Sequence, residues 1–198
     1  MNRSQAFNIV QQYVKNQNLI NHMLCVEAAM RWYARYYGED EELWAVVGLL
    51  HDFDWEIHPT IPDHPMAGAQ ILRTHEVPED IIRAVLSHAD FTGVPRQTRL
   101  EKALFACDEI TGLVTAVALV RPSRSLYDLT ASSVKKKWKD KAFAAGANRE
   151  EISKGAEELG VELFKNHIKV DKKTYQTNIK NIFAIGDVIG PPWLAHVA

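Results

Sequence analysis

Six residues of this chain suggest chemistry by their type and order: His22, His51, Asp52, His64, His88 and Asp108. His51 and Asp52 are adjacent and end the apolar run Gly48-Leu49-Leu50. An imidazole nitrogen beside a carboxylate oxygen suits borderline divalent cations, so the doublet reads as half of a metal site. Taken singly, each residue has a plainer reading. A histidine such as His22 on an apolar stripe is most often a hydrogen-bonded core residue, and Asp108 could be a capping or ion-paired carboxylate. Together they are costly to bury, at roughly several kcal/mol for each unpartnered group, and a shared cation removes that cost.

The elements that must position these residues read as helices. Residues 4–16, 19–37 and 40–52 have helical spacing of apolar positions. In the second, His22 shares a stripe with Val26, Met30 and Tyr33, and Gly38 closes it. The third opens on Glu39 to Glu42, where the helix dipole favours negative charge, and carries Trp44, Val47 and His51 on one face. A proline-rich loop, 52–65, crosses to a helix over 64–75. The next begins at Pro78 and aligns Ile81, Val85 and His88. Residues 100–120 form the longest helix, with Asp108 inside an apolar row. Helices over 132–145 and 148–165 follow, the last opened by Asn148 with Glu151 three residues on. No internal repeat is visible.

The 198 residues are enough for one well-buried core, with 46% apolar and 24% charged positions, as in ordinary globular proteins. A formal net charge of −2 excludes a field strong enough to make a nucleic-acid polymer or a membrane the default partner. Two cysteines, Cys25 and Cys107, make no disulfide framework, and the first residues contain no apolar run resembling a signal peptide. The expectation is a cytoplasmic protein with reduced thiols.

The ordered set His22, His51-Asp52, Asp108 resembles the pattern of the HD superfamily of metal-dependent phosphohydrolases, over about residues 4–167. The resemblance implies an all-α helical bundle. It also implies that His22, His51, Asp52 and Asp108 ligate one ion, while Asp52 bridges to a second held by His64 and His88. The two extra histidines favour two ions over one; Mn, Fe, Co, Ni and Zn all suit the ligands. The implied activity is hydrolysis of a phosphate ester, such as a nucleotide, through a metal-activated water. Two alternatives stay open: di-iron oxygen chemistry on the same ligands, and a non-catalytic sensor module that binds metal or nucleotide.

Around that set, Asp52 is joined as a catalytic candidate by Glu56 and His58, close enough in sequence to position water or protonate a leaving oxygen. Asp54 could orient a ligating histidine. Arg121 and Arg124 are candidates for binding substrate phosphate, whereas the lysines from Lys135 to Lys141 read as a solvated face. The expected partners are a small phosphorylated substrate and, through exposed tail residues, a second copy of the chain.

From residue 169 the character changes, and the chain reads as a domain over 1–168 with an appended tail over 169–198. The tail resembles the FAD-proximal segment of dihydrolipoamide dehydrogenase and related flavoprotein disulfide reductases in Thr177, Gly186, Asp187, Leu194, Ala195 and His196. No GxGxxG and no CxxxxC accompany it, so neither FAD binding nor disulfide chemistry is expected. A short β-like element over 179–187 is expected, and because Phe183, Ile185, Pro191, Pro192 and Trp193 would otherwise be exposed, the tail is expected to pack on the helical body, pair with another chain or stay poorly ordered.

Overall fold

The computed structural model describes residues 1–140, 142–164, 167–171, 173, 174 and 176–179. The chain divides into two compact units, Met1–Thr111 and Gly112–Ala198.

The first unit contains α1 (Arg3–Tyr13), α2 (Gln17–Tyr37), α3 (Glu41–Leu50), α4 (Asp63–Thr74), α5 (Glu79–Ser87) and α6 (Arg99–Leu119) as far as Thr111. Side chains fix the helix starts. The Asn2 side chain accepts the Gln5 N–H while the Gln5 side chain accepts the Asn2 N–H, and Asp40 accepts the Glu42 and Leu43 N–H groups. Gly38, at φ 71°, ends α2 as its sequence position predicts.

Helix α3 is the axis of this unit, because every residue from Trp44 to Leu50 is buried. Each of its large apolar side chains contributes about 1.5–3 kcal/mol by leaving water. Met23, Val26, Met30 and Ala34 of α2 supply part of the surrounding core. Gly48 allows α2 and α3 to approach closely, since a Cβ there would lie 3.0 Å from the Glu27 Cα.

The predicted third helix stops short of its expected end at residue 52. His51 caps it, and tight turns follow, with Trp55 N–H donating to the Asp52 carbonyl and Ile57 N–H to that of Asp54. The doublet therefore straddles a helix end and the turn after it. In α4, His64 has a non-helical ψ of 135°, so the regular helix runs from the residues that follow it.

The second unit contains the rest of α6, α7 (Ala131–Trp138) and α8 (Arg149–Glu158). Both of the last helices end earlier than their sequences suggest. After α7 the Asp140 side chain accepts the Phe143 N–H, and the Arg149 guanidinium donates to the carbonyls of Phe143, Ala144 and Ala147, which holds the chain in turns. Gly160, at φ 86°, ends α8, with Gly160 N–H donating to Glu157 and Val161 N–H to Ala156. A two-stranded antiparallel pair follows, β1 (Leu163–Phe164) against β2 (His167–Ile168), where helix was expected to residue 165. Thr177 pairs with Val170 in an isolated bridge. Gly186, Asp187, Leu194, Ala195 and His196 lie outside the described residues, as does the expected strand beyond residue 179. Among the described residues the fold is all-α apart from these short pairings, and no helix is long and apolar enough to cross a membrane.

Candidate metal centre

All six histidine and aspartate candidates belong to the first unit, and it brings them together. His22 comes from α2, His51 from the end of α3, Asp52 from the following turn, His64 from the start of α4, His88 from the end of α5 and Asp108 from α6. They form two groups that share a residue: His22, His51, Asp52 and Asp108, and Asp52, His64 and His88.

Three of the imidazoles are oriented through Nδ1. His51 caps α3 and donates Nδ1–H to the Gly48 carbonyl at 2.8 Å; His88 caps α5 and donates to Val85 in the same way. Each uses a carbonyl three residues back in the last turn of its helix, and the Val85 carbonyl also accepts the backbone N–H of His88. His64 donates Nδ1–H to the Asp54 carboxylate at 2.8 Å. The Nε2 atoms of these rings are thereby left as acceptors facing the centre.

Those acceptors crowd one another. His64 Nε2 lies 3.2 Å from His88 Nε2, and His51 Nε2 lies 3.3 Å from His22 Nε2. His22 Nε2 is also 3.0 Å from Asp108 Oδ1. Asp52 faces both groups: its Oδ2 is 3.5 Å from His51 Nε2 and 3.6 Å from His22 Nε2, while its Oδ1 is 3.3 Å from His64 Nε2 and 3.7 Å from His88 Nε2. Donors bound to one ion at about 2.1 Å stand roughly 3.0–3.4 Å apart in octahedral or tetrahedral arrangement, so the spacing and the chemistry of the set both fit divalent cations.

Without a cation, protons must relieve the same crowding. Burial pushes the His51 pKa down, but Asp52 and Asp108 outweigh it and raise it to about 9. Burial opposes the charge of His64 too, yet its bonds to Asp52 and Asp54 raise it to about 9. His88 is held below its ordinary value by burial. Burial would raise Asp52, but the histidines bring it down to about 2, and they hold Asp108 well below the carboxylate range. Burial and the neighbouring Asp108 push the Cys107 thiol up to about 12, leaving it a neutral core group.

The side chains of His51, His64 and His88 are at most 6% exposed, whereas His22, Asp52 and Asp108 are 16–20% exposed. The site thus has a buried imidazole floor and a mouth lined by two carboxylates. Trp55, itself exposed, sets its ring edge-on to His64 at a centroid distance of 5.0 Å.

The remaining sequence candidates are not among the clustered ligand groups. The Glu56 carboxylate accepts the backbone N–H groups of Lys15 and Asn16, each at 2.8 Å, and so joins the turn between α1 and α2. His58 is half-buried. Arg121 lies in the second unit, where its guanidinium donates to Ser133 and to the carboxylate and carbonyl of Asp128; Arg124 is in the same segment with a φ of 47°. Sequence reading missed the carbonyls of Gly48 and Val85. The available signal was a histidine placed just beyond a helix end.

Two family models match the chain: HD domain over residues 19–113, and pyridine nucleotide-disulphide oxidoreductase over residues 140–198. Ribonuclease Y of Nitratidesulfovibrio vulgaris (strain DP4) is 32% identical over 98 residues, which are 49% of this chain and 18% of that protein. Mitochondrial dihydrolipoyl dehydrogenase of Rattus norvegicus is 58% identical over 45 residues, 22% of this chain and 9% of that enzyme; the Mus musculus enzyme is 56% identical over the same length. The chain thus spans less than a tenth of those dehydrogenases and under a fifth of the ribonuclease. No solved structure matches it.

Proposed function

We propose that the HD domain carried by residues 19–113 is the catalytic part of a metal-dependent phosphohydrolase, which cleaves a phosphate ester of a small substrate such as a nucleotide. The observation that carries this reading is the position of Asp52, with one carboxylate oxygen toward His22 and His51 and the other toward His64 and His88. A pair of divalent ions held by these two groups supplies, when bound, Lewis acidity toward water and toward phosphate oxygens.

The chain's own residues do the rest. Asp52 and Asp108 concentrate negative charge where cations must sit, and the buried imidazoles keep bulk water from the floor. Asp52 ties the two halves together. His58 is the proposed proton donor to the leaving oxygen. Glu56 and Arg121 are already engaged, with the backbone of Lys15 and Asn16 and with Asp128, so neither is assigned to substrate or catalysis. The likeness to a ribonuclease supports phosphoester chemistry, while a net charge of −2 favours a small substrate over a polymer. The tail's short likeness to dihydrolipoyl dehydrogenase receives no redox role.

Elemental analysis of the purified protein, then a phosphoester panel assayed with the metal it holds, tests the reading. Nucleotides and other small esters form one arm, single-stranded RNA a second, and oxygen uptake a third. Phosphate release from small esters is expected. Oxygen uptake without phosphate release, or no turnover in any arm, overturns it.

A further inference from the structure

Asp54 is fully buried, and its carboxylate has two partners. Oδ1 accepts Nδ1–H of His64 at 2.8 Å, and Oδ2 accepts the backbone N–H of Gly68 at 3.0 Å. The second partner belongs to the beginning of the regular part of α4, where N–H groups lack intrahelical acceptors and the helix dipole favours negative charge. The backbone around Asp54 is itself tied down, since its carbonyl accepts the N–H groups of Ile57 and His58. A fixed anion thus holds one edge of the His64 ring, and the opposite nitrogen lies 3.3 Å from Asp52 Oδ1 and 3.2 Å from His88 Nε2.

Gly68 belongs to the same arrangement. A Cβ at this position would stand 2.4 Å from the Asp54 carboxyl carbon, 2.5 Å from Oδ2 and 2.8 Å from Oδ1. No side chain fits there unless the carboxylate moves. Because that carboxylate is bonded to His64, moving it turns the ring.

From this juxtaposition we infer that Asp54 is a positioning residue for the Asp52–His64–His88 half of the centre, and that Gly68 is glycine so that the Asp54 carboxylate can occupy its place between His64 and α4. The inference rests on the two-ion reading given above. Asp54 touches neither ion nor substrate. It selects the His64 tautomer with hydrogen on Nδ1, so that Nε2 presents its lone pair to the cation, and it raises the basicity of that nitrogen. Partners of this kind are commonly worth about 10–100-fold in metal affinity.

The test is calorimetric titration of the metal-free full chain with Mn²⁺ and with Zn²⁺, for wild type, Asp54→Asn, Gly68→Ala and His64→Ala. Nitrogen-15 histidine spectra of the metal-free proteins, recorded above the raised His64 pKa of about 9 so that the ring is neutral, report the His64 tautomer. Wild type should take two ions. Asp54→Asn and Gly68→Ala should each weaken one ion about 10–100-fold, leave the other within a factor of two or three, and lose the single Nδ1–H tautomer of His64. Gly68→Ala retains both Asp54 and His64, so it tests the arrangement without removing a polar group. If His64→Ala loses one ion while Asp54→Asn and Gly68→Ala bind both as wild type does, the inference is wrong and the two-ion reading stands. Wild type binding no second ion overturns both. Equal weakening of both ions in Asp54→Asn, with the tautomer unchanged, marks a general structural role and also overturns the inference.

Discussion

His64 Nε2 and His88 Nε2 face each other at 3.2 Å, although each ring has already committed its Nδ1–H to another acceptor. Two lone pairs at that distance repel unless a proton or a metal ion lies between them. The metal reading therefore predicts a gain in stability on loading. Saturation at a hundred times Kd should add about 2.7 kcal/mol, and a chelator should reverse it. Thermal melts with Mn²⁺ or Zn²⁺, and again after chelation, measure this; His88→Ala should show a smaller metal-dependent rise than wild type.

His58 is the proposed proton donor, so His58→Ala should lower kcat by about 10²–10⁴-fold with metal content unchanged. Steady-state kinetics beside elemental analysis separates this from loss of the centre. A normal kcat removes His58 from the mechanism.

Glu56 has a structural task in this fold. The N–H groups of Asn16 and Lys15 hold its carboxyl below the ordinary value of 4.5. A lowered folded-state pKa makes its contribution complete above the unfolded value, and the contribution is lost as pH falls through the lowered one. Urea unfolding should show Glu56→Gln less stable than wild type at neutral pH, with the gap closing as the pH falls below 4.5. A gap that widens in acid contradicts this.

Gly48 couples the core to the site. A Cβ there meets the Glu27 backbone at 3.0 Å, and the Gly48 carbonyl accepts from His51. Gly48→Ala should cost about 1–3 kcal/mol as overpacking between α2 and α3. It should also weaken metal binding by displacing the His51 ring. Denaturant unfolding and metal titration of the variant check the two effects separately.

The helices and the inward stripe were legible in the sequence, because His22, His51, His64, His88 and Asp108 fall at helical spacing among apolar residues and burial enforces that spacing. The ends of α7 and α8 were not. Arg149 stabilises a turn by bonding to carbonyls up to nine residues earlier, and Gly160 adopts φ 86°, neither of which the apolar pattern encodes. Also hidden was the contact of Asp54 with Gly68, which joins positions fourteen apart across a loop. Asp54 stood out in the sequence as a possible partner for a histidine, but Gly68 carried no signal, since a glycine required by close approach looks like any other. The orienting carbonyls of Gly48 and Val85 were invisible for a related reason: they are backbone atoms, and only the helix ends reveal them.

The central claim is that Asp52 joins two metal sites, and the most direct measurement is the number of ions per chain in wild type and Asp52→Ala, with phosphate release followed on the same samples. The account predicts two ions and turnover for wild type, and for Asp52→Ala no tightly held ion and a rate lower by at least about 10²–10³-fold. Asp52→Ala protein that keeps both ions and full turnover contradicts it.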